Sequence, residues 1–395
     1  MDHRSEIEHL LPLDPRAALV GRVQLPGERG AHVVARRDDR LVDLTTVTPT
    51  VADLLERPDL LEIVRTAEAP LSWSVDDVVE STLAGGTGPR LVSPVDLQVI
   101  KAAGVTFARS MIERVIEEKA GGDASRAVEI RARVQEAIGG TIGAIRPGSP
   151  EAEDAKRILI EEGLWSQYLE VGIGPDPEIF SKAPVLSSVG TGAEIGVLSR
   201  STWNNPEPEV ALLVTRDGRS VGATLGNDVN LRDFEGRSAL LLGEAKDNNG
   251  SCSLGPMIRL FDDTFSQSDA ARLEVGLRIT GADGFELVDG SSMREMSRTL
   301  DELVRHTVGD HHQYPDGFVL FTGTLFAPTQ DRDSPGLGFT HHDGDVVRIS
   351  APELGTLVNR VTSSEACPPW TFGIRAFYTD LAERGLLPSR QGVAA

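Results

Sequence analysis

Glu207 and Glu209 stand one residue apart in the stretch Pro206-Glu207-Pro208-Glu209-Val210-Ala211-Leu212-Leu213-Val214, which reads as a β-strand. Residues i and i+2 of a strand point to one face, so the two carboxylates would lie side by side. Two such groups repel unless a cation joins them. The chain then meets Asp217-Gly218 between apolar runs, a strong hairpin signal, and returns to Asn227-Asp228. Folding back there brings Asp228 toward the same edge. Three oxygen donors of this kind suit Mg²⁺, Mn²⁺ or Ca²⁺, with positions left for water and substrate. The plainer alternative is a solvated strand face that happens to carry acids.

Two more stretches hold groups able to act beside such a centre. Lys246 lies in the polar loop Gly243-Glu244-Ala245-Lys246-Asp247-Asn248-Asn249-Gly250, where an ammonium would hold a substrate carboxylate or take part in proton transfer. Taken alone it would be a solvated lysine. Thr322-Gly323-Thr324 directly follows the apolar run Phe318-Val319-Leu320-Phe321, which places hydroxyls and N–H groups at a strand end. Other patterns fail on inspection. Gly190, Gly192 and Gly196 depart from the dinucleotide fingerprint, and a strand-like segment follows them where a helix is required. His311-His312 and His341-His342 read as surface or loop histidines, because adjacent side chains diverge. Gly218-Arg219-Ser220-Val221-Gly222 fits the Gly-x-Ser-x-Gly pattern by letter, but it lies in a hairpin turn followed by a strand-like run, not in the strand-to-helix elbow a nucleophile needs, so serine-hydrolase chemistry has no foothold.

The elements that must position these groups are mainly strands. Short alternating runs from Ala17 to about Leu91, with one brief helical stretch, predict a small β-rich N-terminal domain over 1–95. Residues 96–395 form the expected catalytic domain, interrupted at about 110–170 by three helical patterns. Their stop and start signals are Gly121 at one helix end and Ser149-Pro150 at another helix start. That insertion is either packed decoration or a lid over a pocket. The expected class is α+β, mainly β. In 395 residues, 39 basic side chains face 60 acidic ones, a net charge of −21. Such a charge argues against nucleic acid or an anionic membrane as partner. No apolar run approaches a membrane span, the opening residues lack a signal-peptide pattern, and Cys252 and Cys367 are too few for a disulfide framework. A cytoplasmic protein is expected.

Taken in order, the motifs resemble the fumarylacetoacetate hydrolase family. They are Phe180-Ser181-Lys182, Glu207-Pro208-Glu209, Asn227-Asp228 with Arg232-Asp233, the Lys246 loop ending in Leu254-Gly255-Pro256, Thr322-Gly323-Thr324, Gly344-Asp345-Val346-Val347 and Gly355-Thr356-Leu357-Val358-Asn359. The likeness runs from about Val99 to Val361. It implies a mixed β-roll catalytic domain and Mg²⁺ or a similar ion (Mn²⁺, Ca²⁺) on Glu207, Glu209 and Asp228. It further implies an active-site lysine at Lys246, an arginine near the metal at Arg232, a substrate-contacting threonine at Thr324, and a homodimer or homotetramer. Hydrolytic members carry a water-activating histidine where this chain has Ser110, which puts hydrolysis in doubt.

Within the family, the 2-keto-3-deoxy-pentonate dehydratases are the better likeness. That resemblance implies conversion of a 2-keto-3-deoxy-xylonate or -arabinonate, a small 2-oxo sugar acid, to 2-oxoglutarate semialdehyde. Arg109 and Ser110 are the expected carboxylate binders, although Arg109 would serve equally as a structural ion-pair partner. Lys246 is the expected proton-transfer group at C3, and Glu170 of the insert the acid for the departing hydroxyl. The rival readings are a metal-dependent hydrolase of acylpyruvates or diketo acids, and a non-catalytic binder of oxo acids.

Overall fold

The computed structural model describes residues 10–387 except 128–129, 131–144, 162, 164, 326–327, 329 and 335–336. Strand outweighs helix in a mixed α/β architecture. An 11-stranded sheet runs in the order Ser72–Ser74, Arg40–Asp43, His32–Arg37, Leu19–Gln24, Cys252–Leu260, Ser220–Asp228, Pro208–Val214, Phe318–Phe321, Val99–Gly104 and Glu178–Ala183, with Arg90–Val92 also paired to Leu19–Gln24. Leu19 pairs with Arg259 and Val20 with Ile258. One ladder therefore continues from the N-terminal strands into the segment that carries the acidic motifs.

Pro208–Val214 is buried along its whole length, as its unbroken apolar run requires of a central strand. Val210, Leu212 and Val214 face a core shared with the five-stranded sheet built on Glu274–Thr280 and Val346–Ala351. Ala211 and Leu213 face the opposite core, where Val51, Leu54, Leu60 and Ile63 of the N-terminal helices pack. Those helices, Val51–Leu55 and Leu60–Thr66, replace the single helical stretch expected. Pro58 between them has no N–H to continue the first helix.

The expected hairpin is present. Pro208–Val214 pairs antiparallel with Ser220–Asp228, Glu209 opposite Gly226, across a turn in which Gly218 takes φ +81°. Gly226 must remain without a side chain, because a Cβ there would lie 2.2 Å from Cε1 of the buried Phe321. Gly226→Ala is expected to cost about 1–3 kcal/mol by overpacking, seen as a lower urea midpoint at unchanged m-value.

The insert supplies helices Ala108–Ala120, Pro150–Glu161 and Gln167–Ile173 around their own core of Met111, Val115, Ile116, Leu159, Tyr168 and Leu169. Gly121 ends the first in the left-handed conformation, and Ser149 Oγ accepts the Ala152 N–H at 3.3 Å. The helical pattern expected at 123–140 lies mostly outside the described residues. No helix among the described residues is long and apolar enough to cross a membrane.

Candidate active site

The three expected ligands converge. Glu207 precedes and Glu209 opens one hairpin arm, and Asp228 closes the other. Asn227 holds the two ends together, its Oδ1 accepting the Glu207 N–H at 3.1 Å, while the Asp228 N–H donates to the Glu207 carbonyl at 3.0 Å. One carboxylate oxygen from each acid lies within 4.8 Å of the others, and all three side chains are buried. Buried anions persist only with compensating charge. The all-oxygen donor set and this spacing fit a hard divalent cation.

Glu209 carries the electrostatic cost. Burial, then Asp228 and Glu207, push its carboxyl well above the usual range, against the opposing pull of the Lys246 ammonium and of the Gly323 N–H, which donates at 2.7 Å. Gly323 takes φ +104°, and a Cβ would meet Thr106 Oγ1 at 1.9 Å, so the Thr-Gly-Thr turn needs its glycine. Asp228 is held below the ordinary range: burial opposes this, but Lys182 and Lys246 outweigh it. Lys246 Nζ donates to Glu207 Oε2, and to Asp228 Oδ2 at 3.1 Å. Burial disfavours its ammonium, yet Asp228 and Glu207 together raise its pKa above the ordinary value.

The cavity wall contains Gly104, Ser110, Arg114, Glu178, Phe180, Glu207, Glu209, Asp228, Glu235, Lys246 and Thr324. Thr324 Oγ1 is buried with no hydrogen-bond partner among the described residues, and so is free for a ligand. Ser110 lines the cavity too, but its hydroxyl donates to the Phe107 carbonyl at 2.9 Å. The side chain of Arg109 lies outside the described residues. The space measures about 20 Å³, room for an ion or a water. A five-carbon acid enters only if the wall moves, and helix Ala108–Ala120 forms part of that wall. A larger cleft, about 740 Å³ and lined by Leu277, Val288 and Val358, lies away from this acidic cluster.

Two expected site residues stand elsewhere. Glu170 pairs with Lys156 at 2.6 Å, its side chain 44% exposed, and does not line the cavity. Helix Gln167–Ile173 turns Tyr168, Leu169, Gly172 and Ile173 inward, which directs Glu170 away. Arg232 sits behind the wall rather than in it. Its guanidinium is buried against Glu117 at 2.6 Å and Glu113 at 3.2 Å, and stacks on Trp203 at 4.4 Å. His341, expected at the surface or in a loop, lies in an irregular segment but is buried there beside Asp345.

Other side chains complete the site without having been singled out as members of it. Arg114 contacts Glu207 and pairs with Glu117 at 2.6 Å and Glu235 at 3.1 Å. Burial lifts Glu235 to about 7 against the pull of Arg114, and burial raises Glu178 as well. The cavity thus holds one carboxyl, Glu235, able to hold or release a proton near neutral pH, and a second, Glu178, shifted in the same direction. Arg114 was legible only as part of a helical spacing, and Glu178 only as a neighbour of Phe180-Ser181-Lys182.

A buried acidic trio, a lysine against it and a cavity with further buried carboxyls make an arrangement that could hold a divalent cation. Residues 167–362 match the model of the fumarylacetoacetate hydrolase C-terminal family. A Haloferax volcanii protein described as a probable 2-keto-3-deoxyxylonate dehydratase is 28% identical over 342 residues, 87% of this chain and 98% of the relative. A Saccharolobus solfataricus 2-dehydro-3-deoxy-D-arabinonate dehydratase is 35% identical over 186 residues, 47% of this chain and 58% of that protein. Among solved structures, 2-keto-3-deoxy-D-arabinonate dehydratase complexed with magnesium and 2,5-dioxopentanoate superposes with a TM-score of 0.60 at 23% identity, over 87% of this chain and 99% of the other. At that identity the superposition supports the fold.

Proposed function

We propose that the protein is a divalent-metal-dependent hydro-lyase that converts a 2-keto-3-deoxy-pentonate of the xylonate or arabinonate type to 2-oxoglutarate semialdehyde. The observation that carries this reading is the buried convergence of Glu207, Glu209 and Asp228 against Lys246, together with a serine hydroxyl engaged by its own helix turn at position 110. A divalent ion on the three carboxylates, Mg²⁺ by preference, would polarise the 2-oxo group and take up the negative charge that otherwise holds the Lys246 proton.

The residues then divide the work. Lys246, once relieved of its carboxylate partners, accepts the C3 proton. Glu235, whose pKa burial lifts to about 7, hands a proton to the C4 hydroxyl as it leaves as water, and Glu178, shifted in the same direction by burial, is the alternative donor. Thr324 offers its free hydroxyl to the substrate. The unsaturated product then loses a C5 proton and regains one at C3, which makes its C5 hydroxyl an enol that becomes the aldehyde; no water needs activating, since every carbon–carbon bond stays intact, and Ser110 in place of a base is compatible with that outcome.

A homodimer or homotetramer in the cytoplasm completes the reading, on the strength of the family likeness. The test supplies D- and L-2-keto-3-deoxy-pentonates to the purified protein with Mg²⁺ and follows the semialdehyde through a coupled dehydrogenase. EDTA should reduce the rate by about 10³-fold or more, in line with the several kcal/mol a Lewis acid supplies, and Mg²⁺ or Mn²⁺ should restore it. Release of pyruvate, or undiminished turnover in EDTA, would contradict the dehydratase reading.

A further inference from the structure

Lys182 lies outside the cavity and is 0% exposed. A wholly buried lysine is rare, because its ammonium loses its hydration and needs full compensation from the protein. Here three oxygens supply it. Nζ lies 2.8 Å from Asp228 Oδ1, donates to the Val229 carbonyl at 3.3 Å, and donates to the carbonyl of Lys246.

Those contacts join three segments: strand Glu178–Ala183, the end of strand Ser220–Asp228, and the last residue of helix Leu242–Lys246. Each contact has a consequence for the site. The Asp228 carboxylate has two oxygens; Lys182 ion-pairs with Oδ1, and Lys246 donates to Oδ2. The carbonyl of residue 246 is held by Lys182 and by Ser251 Oγ, the latter at 2.8 Å. That clamp fixes the backbone from which the Lys246 side chain reaches Glu207 and Asp228.

We propose that Lys182 is a positioning residue. It sets the rotation of the Asp228 carboxylate for cation binding and, through the same ammonium, the approach of Lys246 to the acidic trio. With its ammonium among three oxygens and no exposed surface, it stands behind the cavity wall and not in it. This rests on the metal-dependent reading above. It deepens that reading by coupling a metal ligand and the proton-transfer lysine through one buried charge.

The coupling makes a prediction that a merely structural lysine would not. Lys182→Met removes the ammonium at nearly the same volume. Mn²⁺ binding is read by titration calorimetry without substrate, and kcat and KM are then read at saturating Mn²⁺. The variant is expected to bind Mn²⁺ at least about 10-fold more weakly, the low end of what an outer-shell partner of a metal ligand contributes. At saturating metal its kcat should fall by a further factor of about 10, with KM within about threefold of wild type. Should Lys182→Met fail to fold, Lys182→Gln, which keeps a donor for the two carbonyls and drops the charge, is read in the same way.

Mn²⁺ affinity and kcat both within twofold of wild type in a folded variant would overturn the assignment, and so would failure of both variants to fold, which would make the lysine a structural prop. The binding readout needs no substrate. Wild-type protein that binds Mn²⁺ but turns over no keto acid would sink the proposed reaction and leave Lys182 testable.

Discussion

Glu209→Gln should leave the protein as stable as wild type in chelator and lower its turnover by about 10³-fold. The two halves of that result come from one feature of the site. Burial, with Asp228 and Glu207 alongside, already favours the neutral carboxylic acid at this position. Glutamine has the shape of that neutral acid, and its carbonyl oxygen can still accept the Gly323 N–H that Glu209 accepts at 2.7 Å. Little is therefore lost in the fold. What disappears is the capacity to become an anion when a cation arrives. Losing one of three charged donors removes several kcal/mol from the cation's grip and from the electrophile it provides, which at about 1.4 kcal/mol per decade gives the stated loss. Thermal unfolding in EDTA and kcat/KM in Mg²⁺ check the two halves. Glu207→Gln makes the contrast, because Glu207 answers both Arg114 and Lys246, and its neutralisation leaves buried cations short of charge. That variant should lose activity and stability together.

Lys246→Met is expected to lower kcat by about 10²- to 10⁴-fold, the usual worth of a positioned proton-transfer group, without weakening metal binding. The ammonium at position 246 touches Glu207 Oε2 and Asp228 Oδ2, the same carboxylates a cation would use. Removing it relieves a competitor, so Mn²⁺ affinity should hold or tighten. Lys246→Arg should fail to rescue turnover, since a guanidinium does not give up its proton in a protein. Titration calorimetry and steady-state kinetics on both variants decide the matter. Recovery of wild-type kcat in the arginine variant would reduce Lys246 to a fixed positive charge. Weaker Mn²⁺ binding in the methionine variant would mean that the lysine supports the site rather than competes within it. The opposite signs expected for metal affinity at positions 182 and 246 separate the lysine that orients the acidic trio from the one that works against it.

The acidic trio was readable because its geometry is local. Glu207 and Glu209 share a face through the two-residue period of a strand, and the Asp217-Gly218 turn returns Asp228 to the same end across one hairpin. Turn chemistry and period suffice for that, and the ordered motifs around it carried the family likeness. The proton-holding side of the cavity was harder. Arg114, Glu178 and Glu235 arrive from three separate segments, and nothing in their individual neighbourhoods announces that they meet Lys246. Glu170 shows the complementary failure. It belongs to the insert that walls the cavity, but one turn of helix decides which residues face inward, and Tyr168, Leu169 and Ile173 took that face. Arg232 was placed near the metal by its motif, yet two glutamates on helix Ala108–Ala120 hold it one layer back. Competition between charged groups for a partner, which depends on tertiary distance, was what sequence spacing did not convey.

The central claim is that Glu207, Glu209 and Asp228 grip a single divalent cation. Anomalous diffraction from crystals grown with Mn²⁺ tests it most directly. One strong peak within about 2.0–2.4 Å of a carboxylate oxygen from each of the three residues is the expected result, as oxygen-ligated divalent ions require. Manganese absent from that position at a concentration that supports turnover, or bound there by fewer than two of the three side chains, would contradict it.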